Sequence, residues 1–225
     1  IPALGIDVTA GETVRVAGVC GWSAEAPILY DATVQTVAET VTVRIGFRTV
    51  STADGVFRVN GHRALLRGVN RHEHDPHRGR VVSEERLARE LRLMKQHNIN
   101  AVRTSHYPPH PRLLELADEY GLYVILECDL ETHGFEQDQW QDNPTDDPRW
   151  HDALIDRIAR TVERDKNHAC VVMWSLGNES GTGAGLAAMS AWTRRRDPSR
   201  PIHYEGDQDC AYVDVHSRMY LAPQE

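Results

Sequence analysis

Short apolar segments alternate with amphipathic segments along the chain from residue 62 onward. The apolar segments have the length of buried strands, and the segments between them repeat apolar residues at helical spacing. Repeated strand–helix units of this kind predict parallel strands joined by right-handed helical crossovers. The predicted strands are 64–69, 99–104, 122–128, 170–176 and 201–205.

Local signals mark the predicted helices. Ser83 is a good N-cap for the first helix. Pro111 suits the first turn of the second helix, and Gly121 suits its C-terminal end. Asp147 and the proline after it predict the start of the third helix. The first helix would bury one stripe of side chains, consisting of Leu87, Leu91 and Met94.

Polar clusters follow every predicted strand, at 72–77, 103–107, 127–133, 177–180 and 204–207. A TIM (β/α)8 barrel places its active site at this end of its strands. A doubly wound sheet is the alternative, but no Gly-rich phosphate turn follows the first strand. We therefore predict an α/β TIM barrel. It would be incomplete, with about five βα units, because a whole barrel takes about 250 residues.

Residues 1–50 show strand patterns instead. A short apolar run lies at 14–17 and another at 33–37, and residues 41–47 alternate between apolar and polar. A complete immunoglobulin-like sandwich needs about 100 residues, so we expect only its C-terminal part here. The predicted domains are residues 1–50 for this part of the sandwich and 51–225 for the N-terminal part of the barrel. The chain is thus expected to be a piece of a longer protein.

Charge and cysteine content limit the partners. The net charge of -8 argues against binding to nucleic acid or to an anionic membrane surface, and the longest apolar runs are too short to span a bilayer. The cysteines show no Cys-x-x-Cys spacing, and two of them lie within predicted strands, so we expect a reducing, cytoplasmic location. They are Cys20, Cys128, Cys170 and Cys210.

Glu179 follows the most apolar predicted strand, 170–176, after a glycine and an asparagine. A carboxyl group at the end of such a strand has a hydrophobic floor beneath it and a polar opening above it. This environment raises a carboxyl pKa and prepares a general acid. A loop glutamate with satisfied hydrogen bonds and no catalytic role is the alternative interpretation.

Other strand ends supply further polar side chains, and two enzyme classes fit them. In a metal-dependent hydrolase, His72 and His74 would bind a metal that activates water. In a glycoside hydrolase, Glu179 would protonate a leaving oxygen while neighbouring groups bind sugar hydroxyls. The pairing of Asn178 with Glu179 favours sugars, since an amide both donates to and accepts from a hydroxyl. A non-catalytic sugar-binding barrel is a third possibility.

Four sequence strings resemble the β-galactosidases of glycoside hydrolase family 2. They are Arg-Gly-Val-Asn-Arg-His-Glu-His at 67–74, Arg-Thr-Ser-His-Tyr-Pro at 103–108, Glu-Thr-His-Gly at 131–134 and Trp-Ser-Leu-Gly-Asn-Glu-Ser at 174–180. All four occur in the order found in the family. The resemblance favours galactosides over the substrates of β-glucuronidase and β-mannosidase relatives.

The resemblance implies retaining hydrolysis of terminal β-D-galactosides, such as lactose, by double displacement. Glu179 would be the acid/base, and Asn178 would bind the sugar 2-hydroxyl. A magnesium ion is implied, and so is a place for a monovalent cation whose ligands lie outside this chain. The parent enzyme would be a homo-oligomer. The other implied site residues are His72 and His106 at the galactosyl ring, Arg103 beneath the nucleophile, and Glu131 and His133 as magnesium ligands together with Glu179.

One element of the family pattern is missing. In the family, the nucleophilic carboxylate comes from the seventh strand, and only five strands are predicted here. Glu205, at the end of the fifth strand, does not match the position of the nucleophile. A retaining mechanism needs two carboxyl groups about 5–5.5 Å apart, so the chain by itself is predicted to be inactive.

Overall fold

A computed structural model describes residues 1–220 and 222, so the last residues of the predicted 51–225 domain lie outside the description. Strands and α-helices follow one another in the order expected from residue 62 onward. In chain order, the elements are β1 (Tyr30–Gln35), β2 (Thr40–Ile45), β3 (Val50–Ser51), β4 (Arg58–Val59), β5 (His62–Arg63), β6 (Gly68–Arg71), α1 (Glu84–Gln96), β7 (Ala101–Thr104), α2 (Pro111–Tyr120), β8 (Tyr123–Glu127), α3 (His151–Asp165), β9 (Val171–Ser175), α4 (Ala184–Arg196) and β10 (Ile202–His203).

Strands β6 to β10 form one parallel sheet, with spatial order β10-β9-β8-β7-β6. One of the helices α1 to α4 lies between each pair of consecutive strands along the chain. This arrangement confirms the predicted incomplete α/β barrel. All five residues of β9 are buried, as expected for a strand covered on both faces.

The helix signals at Ser83 and Gly121 act as predicted, whereas Asp147 caps a short 3-10 turn and α3 begins only at His151. The Ser83 side chain caps α1 by accepting a hydrogen bond from the backbone N–H of Arg86. Gly121 ends α2 with a φ of 74°, and a Cβ atom there would lie 2.4 Å from the carbonyl oxygen of Ala24. Only glycine satisfies both constraints, because a side chain would strain the backbone and collide with the residue 24 peptide.

Trp22 joins the N-terminal segment to the sheet. It is fully buried, its ring contacts Tyr123 edge-on with centroids 5.9 Å apart, and its Nε1 donates to the carbonyl oxygen of Asp118 at 2.9 Å. Its apolar area and its satisfied N–H group both stabilise this junction. Residues around Trp22 are therefore packed against the βα units that follow them.

Two details of the predicted strands and one of the predicted helices are wrong. Residues 14–17 form no strand. β6 begins at Gly68 rather than at residue 64, because the Asn100 side chain takes up two backbone groups, the carbonyl of Leu65 and the N–H of Arg67. In the α1 stripe, Leu87 and Leu91 are buried, whereas Met94 is half-buried.

The β1–β2 hairpin departs from its predicted burial. Val41 and Val43 are 42% and 37% exposed, although their alternation with polar residues predicts a half-buried strand. The hairpin pairs only with itself among the described residues, so its apolar side chains lack a covering sheet. The assignment of residues 1–50 to an immunoglobulin-like sandwich stays a prediction. A second hairpin is formed by the antiparallel pairing of β4 with β5, around Asn60 and Gly61, a residue pair typical of tight β-turns.

Across residues 1–220 and 222, none of the helices has both the length and the hydrophobicity needed to cross a bilayer.

Candidate active site

Each strand of the parallel sheet ends in a polar residue, and the loops that follow carry the predicted site residues, except for Arg103, which lies within β7. Because the strands are parallel, these ends lie along one edge of the sheet. The isolated bridge between Glu131 and Asn178 extends the pairing of β8 and β9 beyond their strand ends. The sheet therefore brings the loops after β8 and β9 side by side. The terminal residues of the five strands are Arg71, Thr104, Glu127, Ser175 and His203.

Glu127 lies at the centre of this edge and is fully buried. Its carboxylate accepts hydrogen bonds from Arg103 Nε and Ser175 Oγ, each at 2.6 Å, and its other oxygen lies 2.6 Å from His106 Nδ1. The sequence allows Glu127 to be a buried partner of Arg103, but Glu127 is not among the predicted site residues. An acidic residue inside the otherwise apolar run 122–128 was the available signal, since such a charge needs a buried partner.

Asn178 lies next to Arg103. Its Oδ1 accepts a hydrogen bond from the Arg103 guanidinium at 2.9 Å, and its Nδ2 donates to Glu131 at 3.2 Å and to Glu179 at 3.3 Å. The arginine can only donate and the carboxylates accept, so these partners fix which end of the amide faces which neighbour. The predicted residues Arg103, Asn178, Glu131 and Glu179 thus form one connected set.

Glu179 has a backbone φ of 33°, an uncommon conformation for a residue other than glycine. Two side chains at the end of β10 hold this turn. Glu205 accepts the N–H of Glu179, and the Tyr204 hydroxyl accepts the N–H of Ser180 at 2.9 Å and donates to Gly181. Burial raises the pKa of the Glu205 carboxyl. The turn directs the Glu179 side chain, which is 19% exposed, towards His133.

Glu131, His133 and Glu179 form a cluster in which one potential metal ligand from each residue lies within 4.8 Å of the others. His133 Nδ1 is 3.0 Å from Glu179, and its Nε2 is 2.7 Å from Glu136. The hydrogen bond with Glu136 and the charge of Glu179 raise the pKa of His133. Two carboxylates and one imidazole give a donor set with a net negative charge, which fits a divalent cation.

His72 and His106 contact each other edge-on, with ring centroids 5.1 Å apart. Burial, and then the nearby His106, lower the pKa of His72. The other potential metal-ligand cluster among the described residues contains neither His72 nor His74. The geometry thus gives no support to a metal bound by these two histidines, as the metal-dependent hydrolase interpretation requires.

Two cavities adjoin the cluster. The larger one, of about 860 Å3, is lined by His106, Glu131 and residues of α3, and the smaller one, of about 350 Å3, is lined by His133, Glu179 and Glu205. Four of the predicted site residues therefore border open space, His106 and Glu131 at the larger cavity and His133 and Glu179 at the smaller one. A small ligand could reach the Glu179 carboxyl from the smaller cavity.

Residues 50–224 match the family described as "Glycosyl hydrolases family 2, TIM barrel domain". The chain belongs to glycoside hydrolase family 2. This match covers most of the chain and includes every predicted site residue. It also agrees with the five parallel strands of the sheet.

Curated family 2 relatives include two proteins named β-galactosidase. The one from Arthrobacter sp. strain B7 is 60% identical over 212 residues, covering 92% of this chain and 21% of that protein. The one from Vibrio cholerae is 49% identical over 207 residues, covering 88% of this chain and 20% of that protein. This chain therefore spans about a fifth of the length of these relatives.

Solved structures of β-glucuronidases superpose on the chain. A Bacteroides uniformis β-glucuronidase aligns with a TM-score of 0.75 and 27% identity, covering 90% of this chain and 27% of that one. A Dictyoglomus thermophilum β-D-glucuronidase aligns with a TM-score of 0.73 and 28% identity, covering 89% of this chain and 36% of that one. The fold of the chain is thus shared with these two structures.

Proposed function

We propose that this chain forms part of the catalytic domain of a β-galactosidase that hydrolyses terminal β-D-galactosides with retention. We call the full-length protein that carries the chain the parent protein. The observation that carries the proposal is that the Glu179 carboxyl lies beside the side chains of Asn178, Glu131 and His133. The chain is also 60% identical to a β-galactosidase.

Glu179 is the proposed acid/base. Its carboxyl group would donate a proton to the glycosidic oxygen as the bond to the leaving group breaks, and would later remove a proton from the attacking water. The turn held by Glu205 and Tyr204 supports this role, because a proton donor must keep one position through both steps. The nucleophile is assigned to a part of the parent protein beyond this chain.

Four further residues have proposed roles at the sugar. The Asn178 amide would bind the 2-hydroxyl, a contact that strengthens as positive charge develops on the ring. Arg103 would lie beneath the nucleophile. His72 and His106, whose rings touch, would hydrogen-bond the galactosyl ring.

Magnesium is the proposed cofactor, with Glu131, His133 and Glu179 as its ligands. The two carboxylates suit this hard cation, whereas the imidazole is a softer ligand than it usually takes. When bound, the ion would supply positive charge beside the Glu179 carboxyl. The chain contributes the fixed spacing of the three ligand groups, set by the bridge between Glu131 and Asn178.

Replacing Glu131 with glutamine in the parent protein should weaken magnesium binding about 10- to 100-fold, because an interaction with a charged group contributes about 1.5–3 kcal/mol. Isothermal titration calorimetry measures this change. Glu115→Gln is the control, since Glu115 is a half-exposed glutamate on α2 and is not one of the three ligands. Equal losses of affinity in the two variants would contradict the assignment.

Glucuronides are the second candidate substrates, because the superposed structures include β-glucuronidases. The galactoside proposal rests on the much higher identity to β-galactosidases. It is tested by comparing kcat/KM of the parent protein for nitrophenyl β-galactoside, β-glucuronide and β-mannoside. We expect the galactoside to be preferred by at least about 100-fold, the scale of a site built to bind a specific hydroxyl pattern. A preference for the glucuronide or mannoside would overturn the proposal.

We also propose that the parent protein is cytoplasmic and forms a homo-oligomer, as expected from its sequence. The four free cysteines support a reducing compartment. Lactose and related galactosides are the proposed small-molecule partners.

A further inference from the structure

Glu127 carries a full set of partners but does not itself reach the open part of the site. It is fully buried, and its own backbone N–H donates to Thr104 Oγ1 at 2.9 Å. Burying a carboxylate is costly unless charge and hydrogen bonds compensate for the lost water. Here Arg103 supplies the charge, and Ser175 and His106 supply further bonds.

The bonds of Glu127 lead directly to groups that face the sugar site. Arg103 uses Nε on Glu127 and one terminal nitrogen on the Asn178 side-chain oxygen. This second bond turns the amide nitrogen of Asn178 towards Glu131 and Glu179. Without the anchor on Glu127, Arg103 could swing to another acid, and the Asn178 amide would lose the donor that fixes its orientation.

His106 depends on the same carboxylate. A carboxylate accepts hydrogen bonds, so the contact at Nδ1 favours the ring form that has its proton on Nδ1. The ring nitrogen Nε2 is then left to meet a sugar hydroxyl. A single buried acid thereby orients two groups proposed to bind substrate.

A second chain of hydrogen bonds, through Ser175 to His203, holds the Glu127 carboxylate from β9 and β10. Ser175 donates its hydroxyl proton to Glu127, so the His203 Nδ1 atom 3.0 Å from that hydroxyl must be the donor in the next bond. Burial, followed by the charge of Arg103, lowers the pKa of His203 to about 4, which keeps this ring neutral at neutral pH. The Ser175–Glu127 bond is therefore held in one direction by β10.

We infer that Glu127 is a positioning residue that sets the orientation of the Asn178 amide and the tautomer of His106, and through them the enzyme's requirement for the sugar 2-hydroxyl. The inference rests on the proposed function, since it assigns the 2-hydroxyl to Asn178. It goes further by placing the control of this contact on a residue that does not touch the sugar.

The test compares a nitrophenyl β-galactoside with its 2-deoxy analogue in the parent protein and in Glu127→Gln. Hydrogen bonds to the 2-hydroxyl contribute several kcal/mol in the transition state, so the unmodified protein should prefer the galactoside by at least about 100-fold. In Glu127→Gln we expect kcat/KM for the galactoside to fall about 100-fold and that for the analogue less than about tenfold. Equal losses on both substrates would overturn the inference.

Two further variants separate positioning from loss of stability. Asp118→Asn is the matched control, because Asp118 is also a buried acid. Its carboxylate lies 2.6 Å from His168 Nδ1 and accepts the N–H of Cys170 at 2.7 Å. Cys170 directly precedes β9, so this carboxylate is bound at the start of the strand, whereas the site residues follow its end. We expect it to lower the melting temperature and leave the preference between the two substrates unchanged. A change in this preference equal to that of Glu127→Gln would overturn the inference.

Ser175→Ala removes only one hydrogen bond to the Glu127 carboxylate. It replaces Glu127→Gln as the test variant if Glu127→Gln does not fold. It should reduce the preference about 3- to 10-fold, the value of one hydrogen bond. An unchanged preference would count against the inference.

A crystal structure of the Glu127→Gln parent protein tests the positioning without relying on turnover. We expect Arg103 to leave Asn178 and the Asn178 amide to turn. Unchanged positions of both side chains would overturn the inference even in a protein that cleaves galactosides. A parent protein with no galactosidase activity would instead overturn the proposed function, and with it the part of the inference that concerns the 2-hydroxyl.

Discussion

Replacing Glu179 with glutamine in the parent protein is expected to lower kcat for an unactivated galactoside such as lactose by about 100- to 10,000-fold, the usual contribution of general acid–base catalysis. Glutamine has nearly the same shape but carries no transferable proton. An aryl galactoside with a good leaving group should lose less in the first step, because its leaving oxygen needs little protonation. Steady-state kinetics with both substrates measures this difference.

Glu205→Gln is the matched comparison for this variant. Glu205 is a second buried glutamate beside Glu179, and it accepts the Glu179 N–H through an oxygen that glutamine also possesses. We expect a loss of less than about tenfold, because the hydrogen bond is kept and only its charge is removed. A larger loss in Glu205→Gln than in Glu179→Gln would show that the catalytic roles have been assigned to the wrong glutamate.

The 225-residue chain expressed by itself is expected to show no measurable hydrolysis of aryl galactosides. Retention needs a second carboxyl group about 5–5.5 Å from the acid/base and free to attack the sugar. Two carboxyl groups lie near Glu179 among the described residues. Glu205 accepts a hydrogen bond from the Glu179 backbone N–H, and Glu131 belongs to the proposed metal cluster. Neither group matches the nucleophile of the family.

The assay uses purified chain that circular dichroism shows to be folded, with helix and strand content. The parent protein, assayed at the same concentration, provides the positive control. Turnover by the isolated chain that disappears in its Glu179→Gln form would refute the prediction, because it would show that the second carboxylate lies within these residues.

The positions of the predicted site residues could be inferred from sequence because a parallel sheet collects its strand ends at one edge. The runs ending near Thr104, Glu127 and Ser175 are apolar enough to identify as strands, so the polar residues after them had to meet. The helix caps at Ser83 and Gly121 are local signals that depend on few neighbours, and both act as predicted.

Features that depend on side chains far apart in sequence could not be inferred. The start of β6 is set by Asn100, which binds backbone groups more than 30 residues earlier in the chain. The bonds of Glu127 to Ser175 and His106 depend on the register and on the loop after β7, although the buried charge itself is visible in the sequence. Exposure of the apolar side chains of β2 depends on which surfaces cover the hairpin, and the pattern of the strand itself does not contain this information.

The position of a bound galactoside relative to Glu179 tests the central claim most directly. A crystal structure of the Glu179→Gln parent protein with an intact galactoside would provide it. We expect the glycosidic oxygen to lie about 2.6–3.2 Å from the residue 179 side chain, within reach of a proton transfer, and the 2-hydroxyl to contact Asn178. A sugar bound with its glycosidic oxygen turned away from residue 179 would contradict this expectation.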